Sequence, residues 1–164
     1  MVTIRIINKA IDSDAAVKVL REANATIAKE LKLTPENAPT HPAFISTERF
    51  KEQFTHGKEF YVAELKGQIV GLVGIEKAPA EHATFYIERL AVLPEFRHQG
   101  IGKYLMDCAT DRAIENRGKM VSVAIINENT RLKKWYCQLG FVEKETKHFE
   151  HLPFTVCFMK KELG

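Results

Sequence analysis

The stretch Leu90-Ala91-Val92-Leu93-Pro94-Glu95-Phe96-Arg97-His98-Gln99-Gly100-Ile101-Gly102-Lys103 reads as a strand feeding a glycine turn that opens a helix. Thr84 to Leu93 is apolar on both faces, which predicts a central buried strand, and Pro94 ends it. Beyond the turn, Ile101, Leu105, Cys108 or Ala109, and Ala113 share one helical face up to Gly118. Such a helix N-terminus presents unpaired N–H groups and the positive end of the dipole, which together bind phosphate. Gly100 and Gly102 let the backbone approach an anion, and Arg97 and Lys103 add charge. A Walker loop does not fit, because Arg97 stands at its first glycine and Tyr104 at its hydroxyl residue. A dinucleotide fingerprint fails at its third glycine, which is Leu105. By itself the stretch is also compatible with an ordinary strand–turn–helix.

Working outward, Thr3 to Ile7 predicts a first strand, and Asp12 or Ser13 an N-cap for the helix behind it. Ala16, Leu20, Ala23, Ile27 and Leu31 give that helix one apolar face. Pro35, Pro39 and Pro42 make residues 33–46 a constrained loop, and Ser46 or Thr47 caps a short helix ending at Gly57. Phe60 to Leu65 and Gln68 to Ile75 form a hairpin about Lys66-Gly67. Met120 to Ile126 is a further buried strand. Leu132, Trp135, Tyr136 and Leu139 mark a helix stopped at Gly140, and residues 141–147 and 154–160 a closing hairpin. The expected order is β-α-α-β-β-β-α-β-α-β-β. That is an α/β fold, with one mixed sheet of about seven strands flanked by about four helices, in a single domain over residues 1–164.

With 164 residues, 45% hydrophobic and 27% charged, the chain can bury a core and is not a disordered polymer. A net charge of +3 is too small to argue for nucleic acid. No apolar run approaches the roughly 18 residues of a membrane span, and the N-terminus lacks a signal-peptide core, so the expected location is cytoplasmic with no membrane partner. Cys108, Cys137 and Cys157 are odd in number and lack a C-x-x-C pairing, which suits reduced, mostly core thiols.

A second segment gives the turn its meaning. Asn129-Thr130-Arg131-Leu132-Lys133-Lys134-Trp135-Tyr136-Cys137-Gln138-Leu139-Gly140-Phe141 follows a buried strand. Together the two segments resemble the GNAT superfamily of acyl-CoA-dependent N-acetyltransferases. Arg97, Gly100 and Gly102 match its [RQ]-x-x-G-x-[GA] motif, and Asn129, Tyr136, Gly140 and Phe141 match its later one. Leu132 departs from the usual alanine. The likeness covers residues from about Phe60 to the end, and more loosely from Thr3.

The resemblance implies a GNAT-like fold and acetyl-CoA as co-substrate, with no metal. It implies that Leu90, Ala91 and Val92 offer backbone to pantetheine, with the Val92 N–H on the thioester carbonyl. The phosphates would meet Arg97, His98, Gln99, Gly100, Ile101, Gly102 and Lys103, with Lys133 and Lys134 adding charge. Asn129 would touch pantetheine, or cap its helix, or both. Tyr136 would protonate the leaving thiolate, although it also fits as a core tyrosine on an amphipathic helix. Glu88 is expected on the strand face of Tyr86, Leu90 and Val92, either as the base or as a structural carboxylate paired with Arg89 or a distant lysine. The acceptor, a small-molecule or peptide amine, would lie between residues 37–44 and the last hairpin loop. Asn37, His41, Phe44, Phe149 and Glu150 are the expected contacts. His148 and His151 have metal-like spacing, but without a third ligand they read as solvated or substrate-facing. The final hairpin offers an edge for a second copy, which leaves a homodimer open. A non-catalytic acyl-CoA-binding or sensing module would keep the glycine turn without needing Tyr136 or Glu88.

Overall fold

The computed structural model describes the backbone of residues 1–164 and the side chains of all but residues 55 and 56. The strands are β1 (Val2–Ile6), β2 (Glu59–Leu65), β3 (Gln68–Lys77), β4 (Thr84–Val92), β5 (Met120–Ile126), β6 (Val142–His148) and β7 (Thr155–Glu162). The helices are α1 (Lys9–Glu30), α2 (Thr47–Glu52), α3 (Ile101–Glu115) and α4 (Thr130–Gln138). The order is the expected one, and the strands form one sheet, β1-β2-β3-β4-β5-β7-β6. No helix is long and apolar enough to cross a membrane, among the described residues.

The first helix starts earlier than its apolar pattern predicts. Asn8, not Asp12 or Ser13, is the N-cap, its side chain accepting from the Ala10 and Ile11 N–H groups. Asp12 instead turns back, accepts the Asn8 N–H at 2.7 Å and pairs with Arg5 at 2.7 Å. The Arg5 guanidinium holds the Asp12 carboxyl below its ordinary range. This bracket fixes the corner between β1 and α1.

Helices cover both faces of the sheet. On one face a Cβ at Gly71 would lie 3.0 Å from Leu105 of α3. On the other, a Cβ at Gly74 would lie 2.7 Å from Phe60, whose ring packs on Phe50 of α2 at 4.9 Å between centroids. Leu20, Phe50, Phe60, Leu72, Leu105 and Met159 are fully buried between these layers. Each such side chain contributes roughly 1.5–3 kcal/mol over its exposed state.

The sheet's irregularity positions the site. All neighbouring strands are antiparallel except β4 and β5, whose parallel pairing runs only from Thr84↔Met120 to Tyr86↔Ser122. Beyond that, β4 stays with β3 as far as Val92, and β5 stays with β7 as far as Ile126. The two strands therefore diverge and leave a wedge. The cause lies in β4, where Glu88 pairs with Gly74 but Ala91 with Leu72. That is one extra residue on β4, a bulge, with Arg89 at φ +57°. A bulge bends and twists its strand, which carries the end of β4 away from β5.

The bulge also corrects an expectation. Glu88 lies opposite Gly74 and Val92 opposite Gly71, three residues apart on β3. Successive strand residues alternate faces, so Glu88 and Val92 are on opposite faces. Unbroken alternation along β4 had put them together.

Candidate active site

The wedge opens into a cavity of about 1080 Å³ between β4, β5, the 38–42 loop and the closing hairpin. Its backbone wall is set by β4. The Leu93 N–H donates to the Val70 carbonyl at 2.8 Å, toward β3. Alternation along the strand turns the Val92 N–H the other way, into the wedge. The Leu90 side chain lines the cavity, whereas Ala91 packs in the core and Val92 lies beside Gly102.

At the C-terminal end of β4 stands the glycine turn. Arg97 is extended, His98 has φ +62° and Gly100 has φ +82°. Gly100 is the N-cap of α3 and has no side-chain cap. Nothing lies within 4 Å of a Cβ built there, so its positive φ, not space, calls for glycine. The opening N–H groups of α3 thus face an exposed turn with the helix dipole behind them. His98 and Gln99 are exposed, while the Ile101 side chain is buried and leaves only its backbone to an anion.

The expected cations are partly engaged already. Arg97 donates to the Ala23 carbonyl of α1 at 2.6 Å and pins the turn to that helix. Lys103 pairs with Asp107 at 2.8 Å, in an exposed contact. Lys133 reaches Glu143 at 3.1 Å and donates to Asn127. Lys134 is exposed. Asn129 caps α4, accepting from the Leu132 N–H at 3.3 Å, and also lines the cavity.

Tyr136 is 4% exposed yet lines the same cavity. Its ring meets Trp135 and Phe141 edge-on at 5.1 and 5.2 Å. Among the described residues its hydroxyl has no hydrogen-bond partner, and burial pushes the phenol well above its ordinary range. It is therefore a protonated donor held at the cavity wall. Glu88 also lines the cavity, with its carboxylate 3.1 Å from the Lys58 ammonium.

Residues 29–163 match the acetyltransferase (GNAT) domain family. The chain belongs to that family. It is 33% identical over 94 residues to an uncharacterized N-acetyltransferase of Chlorobaculum tepidum, covering 57% of this chain and 56% of that protein. The chain spans about half the length of the relatives it matches. Among solved structures, the ribosomal-protein-S18-alanine N-acetyltransferase of Escherichia coli aligns with a TM-score of 0.78 at 16% identity, over 100% of this chain and 95% of that one. The PaiA N-acetyltransferase of Thermoplasma acidophilum, solved with coenzyme A, aligns at 0.74 and 18% identity over 99% of both. At such identities the shared property is the fold, the seven-stranded mixed sheet with its helices.

In this GNAT domain the acceptor side of the cavity is built differently from expectation. His41 is there, 7% exposed, with Nδ1 accepting the Ala43 N–H at 3.2 Å. Burial, and then the Arg89 charge, pull it down to about 4, so it is neutral near pH 7 with its proton on Nε2. Asn37 is not a lining residue. Its side chain accepts from the Thr34 N–H at 2.8 Å and donates to the Lys32 carbonyl at 3.1 Å, closing a turn. Phe44 joins a second apolar cluster with Ala28, Leu33, Ala38 and Ala43. Phe149 and Glu150 stay outside the cavity: Phe149 lies 5.9 Å from the His151 ring and under Lys147, and Glu150 is exposed. Leu152 and Phe154, from the same loop, line the cavity instead. They are the apolar residues that lead back into β7.

Sequence reading gave Arg89 only as a possible partner of Glu88 and missed its place in the cavity. Its half-buried side chain lines the cavity, and its Nε is buried without an acceptor. The available signal was the adjacent charged pair Glu88-Arg89 inside an apolar strand. Strict alternation would bury one of the two in the core, and a bulge is how a strand turns both toward solvent space.

Proposed function

We propose that this chain is an N-acetyltransferase domain that moves the acetyl group of acetyl-CoA to a primary amine by direct attack within a ternary complex. The observation that carries this reading is the wedge between β4 and β5, with the glycine turn at one end and the Tyr136 hydroxyl in its wall. The residues present fit acetyl-CoA. A diverging strand edge at Leu90–Val92 offers unpaired backbone to an amide-bearing pantetheine arm. The turn from Arg97 to Lys103 offers backbone N–H groups and positive charge to phosphates.

Bound acetyl-CoA supplies an acyl group already activated as a thioester. The Val92 N–H polarises the carbonyl oxygen, an oxyanion-type contribution. Tyr136 gives its proton to the leaving sulfur. Glu88 receives the proton of the incoming ammonium, directly or through water, and doing so loosens its pair with Lys58. Asn129 touches pantetheine from the cavity wall, and Lys133 adds charge toward the phosphates.

The test begins with thermal unfolding with and without acetyl-CoA. At about 100 times its dissociation constant a ligand adds roughly 2.7 kcal/mol. For a chain of this size that is a rise of roughly 5–11 °C. An amine panel scored by thiol release follows, using the parent chain, Tyr136→Phe and Glu88→Gln. Thiol release that falls in both variants supports the assigned roles. A thermal rise without turnover of any amine marks a non-catalytic acyl-CoA-binding module. No rise with acetyl-CoA, but one with a free nucleotide, rejects the acetyl-CoA reading.

A further inference from the structure

Among the described residues Arg89 carries a buried guanidinium nitrogen with no hydrogen-bond partner. The bulge at φ +57° holds it at the cavity wall, its Nε is sealed from solvent, and among the described residues nothing accepts a hydrogen bond from it. Burial pulls the guanidinium below its ordinary range. A half-buried cation with an unmet N–H donor is costly, and an anion that accepts from it removes that cost.

Among the described residues no carboxylate pairs directly with Arg89. Glu88 is adjacent and its charge favours the guanidinium, but its carboxylate lies 3.1 Å from the Lys58 ammonium. Arg49, from α2, adds a like charge and leans on the Pro39 carbonyl at 3.4 Å. His41, from the facing loop, contributes no charge near pH 7 but lines the cavity with an Nε2 proton to donate. Lys58 offsets Glu88, which leaves a net positive pole around Arg89. The carboxylates Glu76, Glu81 and Glu145 lie in the remaining cavity wall, and Glu81 pairs with Lys160 at 2.5 Å. A guanidinium whose Nε has no acceptor, beside a neutral N–H donor, suits a monoanion such as a carboxylate.

We propose that the acceptor is an amino acid, an amine whose own carboxylate is bound by Arg89 with His41 beside it. This rests on the acetyl-CoA-dependent reading above. Arg89 lies three residues before Val92, at most about 10 Å along the bulged strand. The Arg89 side chain and one amino acid can span that interval, placing the amine toward the thioester end. The nitrogen bonds to the acetyl carbon, and the carbon–sulfur bond breaks with its electron pair on sulfur. The proton lost by the amine is balanced by the one gained by the thiolate. The products are an N-acetyl amino acid and the free thiol.

Thiol release is measured with matched acceptors: phenylalanine, phenylalaninamide and phenethylamine; lysine and cadaverine; spermidine and a short peptide. The expected result is that a carboxylate-bearing amine is the best acceptor, with kcat/KM falling by at least about 10²-fold when the carboxylate is amidated or removed. In Arg89→Gln that discrimination collapses to a few-fold, while the thermal shift with acetyl-CoA persists. A second measurement uses only the parent chain. The NMR-detected titration of His41 moves upward with N-acetylphenylalanine and not with N-acetylphenethylamine, because a bound carboxylate neutralises Arg89. Preference for spermidine, the peptide or the amide overturns the proposal, and so does discrimination that survives in Arg89→Gln. Loss of the acetyl-CoA thermal shift in the parent chain would instead overturn the reading beneath it.

Discussion

Acid should unfold this protein through His41. The imidazole is 7% exposed, and its pKa falls from 6.5 to about 4, first by burial and then by the Arg89 charge. The unfolded chain binds a proton there near 6.5, whereas the folded chain resists it until about 4. Between those values the unfolded state holds more protons, so stability falls as pH falls. The gap between 6.5 and about 4 is worth about 3 kcal/mol, all of it present above pH 7 and gone below pH 4. At 2–4 °C per kcal/mol that is a drop in Tm of roughly 6–12 °C from this residue. Asp12, Glu59 and Glu143, held below their ordinary range by Arg5, Arg112 and Lys133, also lose their stabilising charge in acid, so the parent chain alone does not isolate the effect. The control is His41→Asn, whose side-chain oxygen can still accept the Ala43 N–H at the start of the 42–44 turn. Urea unfolding at pH 7, 6, 5 and 4 gives the difference between the two proteins. The expected difference narrows by about 3 kcal/mol across that range. Parallel pH profiles would refute the reasoning, because the imidazole would then titrate alike in the folded and unfolded states.

Gly74→Ala places a methyl group 2.7 Å from the buried Phe60 ring and 3.2 Å from the Glu88 carbonyl. Overpacking of this kind costs about 1–3 kcal/mol, read as a lower urea midpoint at unchanged slope. Gly100→Ala meets no neighbour but keeps φ +82°, so it loses about 1–2 kcal/mol to backbone strain and weakens acetyl-CoA binding in titration calorimetry. Tyr136→Phe deletes a buried hydroxyl with no partner among the described residues, so the folded state loses less than about 1 kcal/mol while turnover falls about 10²–10⁴-fold. A large stability loss with unaltered turnover would make Tyr136 a packing residue. Because its phenol is held protonated, the parent chain's turnover should also persist as pH rises through 10, measured by thiol release.

Local patterns determined the element order, the central buried strand, the glycine turn at the mouth of a helix and the placement of Tyr136 on an amphipathic helix. Each is a relation between residues a few positions apart, where hydrophobic period, caps and turn residues act directly. Ser46 was a legible cap for that reason. Asn8 was not, because Asp12 is an equally good local cap until Arg5 takes its carboxylate. What only the tertiary structure decided depends on partners distant in sequence. Arg97 is anchored by Ala23, 74 residues away, and Lys160 by Glu81, 79 residues away. Glu88 finds Lys58, 30 residues upstream, and not its neighbour Arg89. The bulge follows from the register of β4 against β3, and one extra residue there set Val92 on the face opposite Glu88 and left Arg89 in the cavity. Periodicity assumes an unbroken strand, so it fails at the one place where the sheet must open. The acceptor wall failed for the same physical reason. Which of Phe149, Glu150, Leu152 and Phe154 enters the cavity depends on how the closing hairpin packs over the wedge, not on any pattern within the loop.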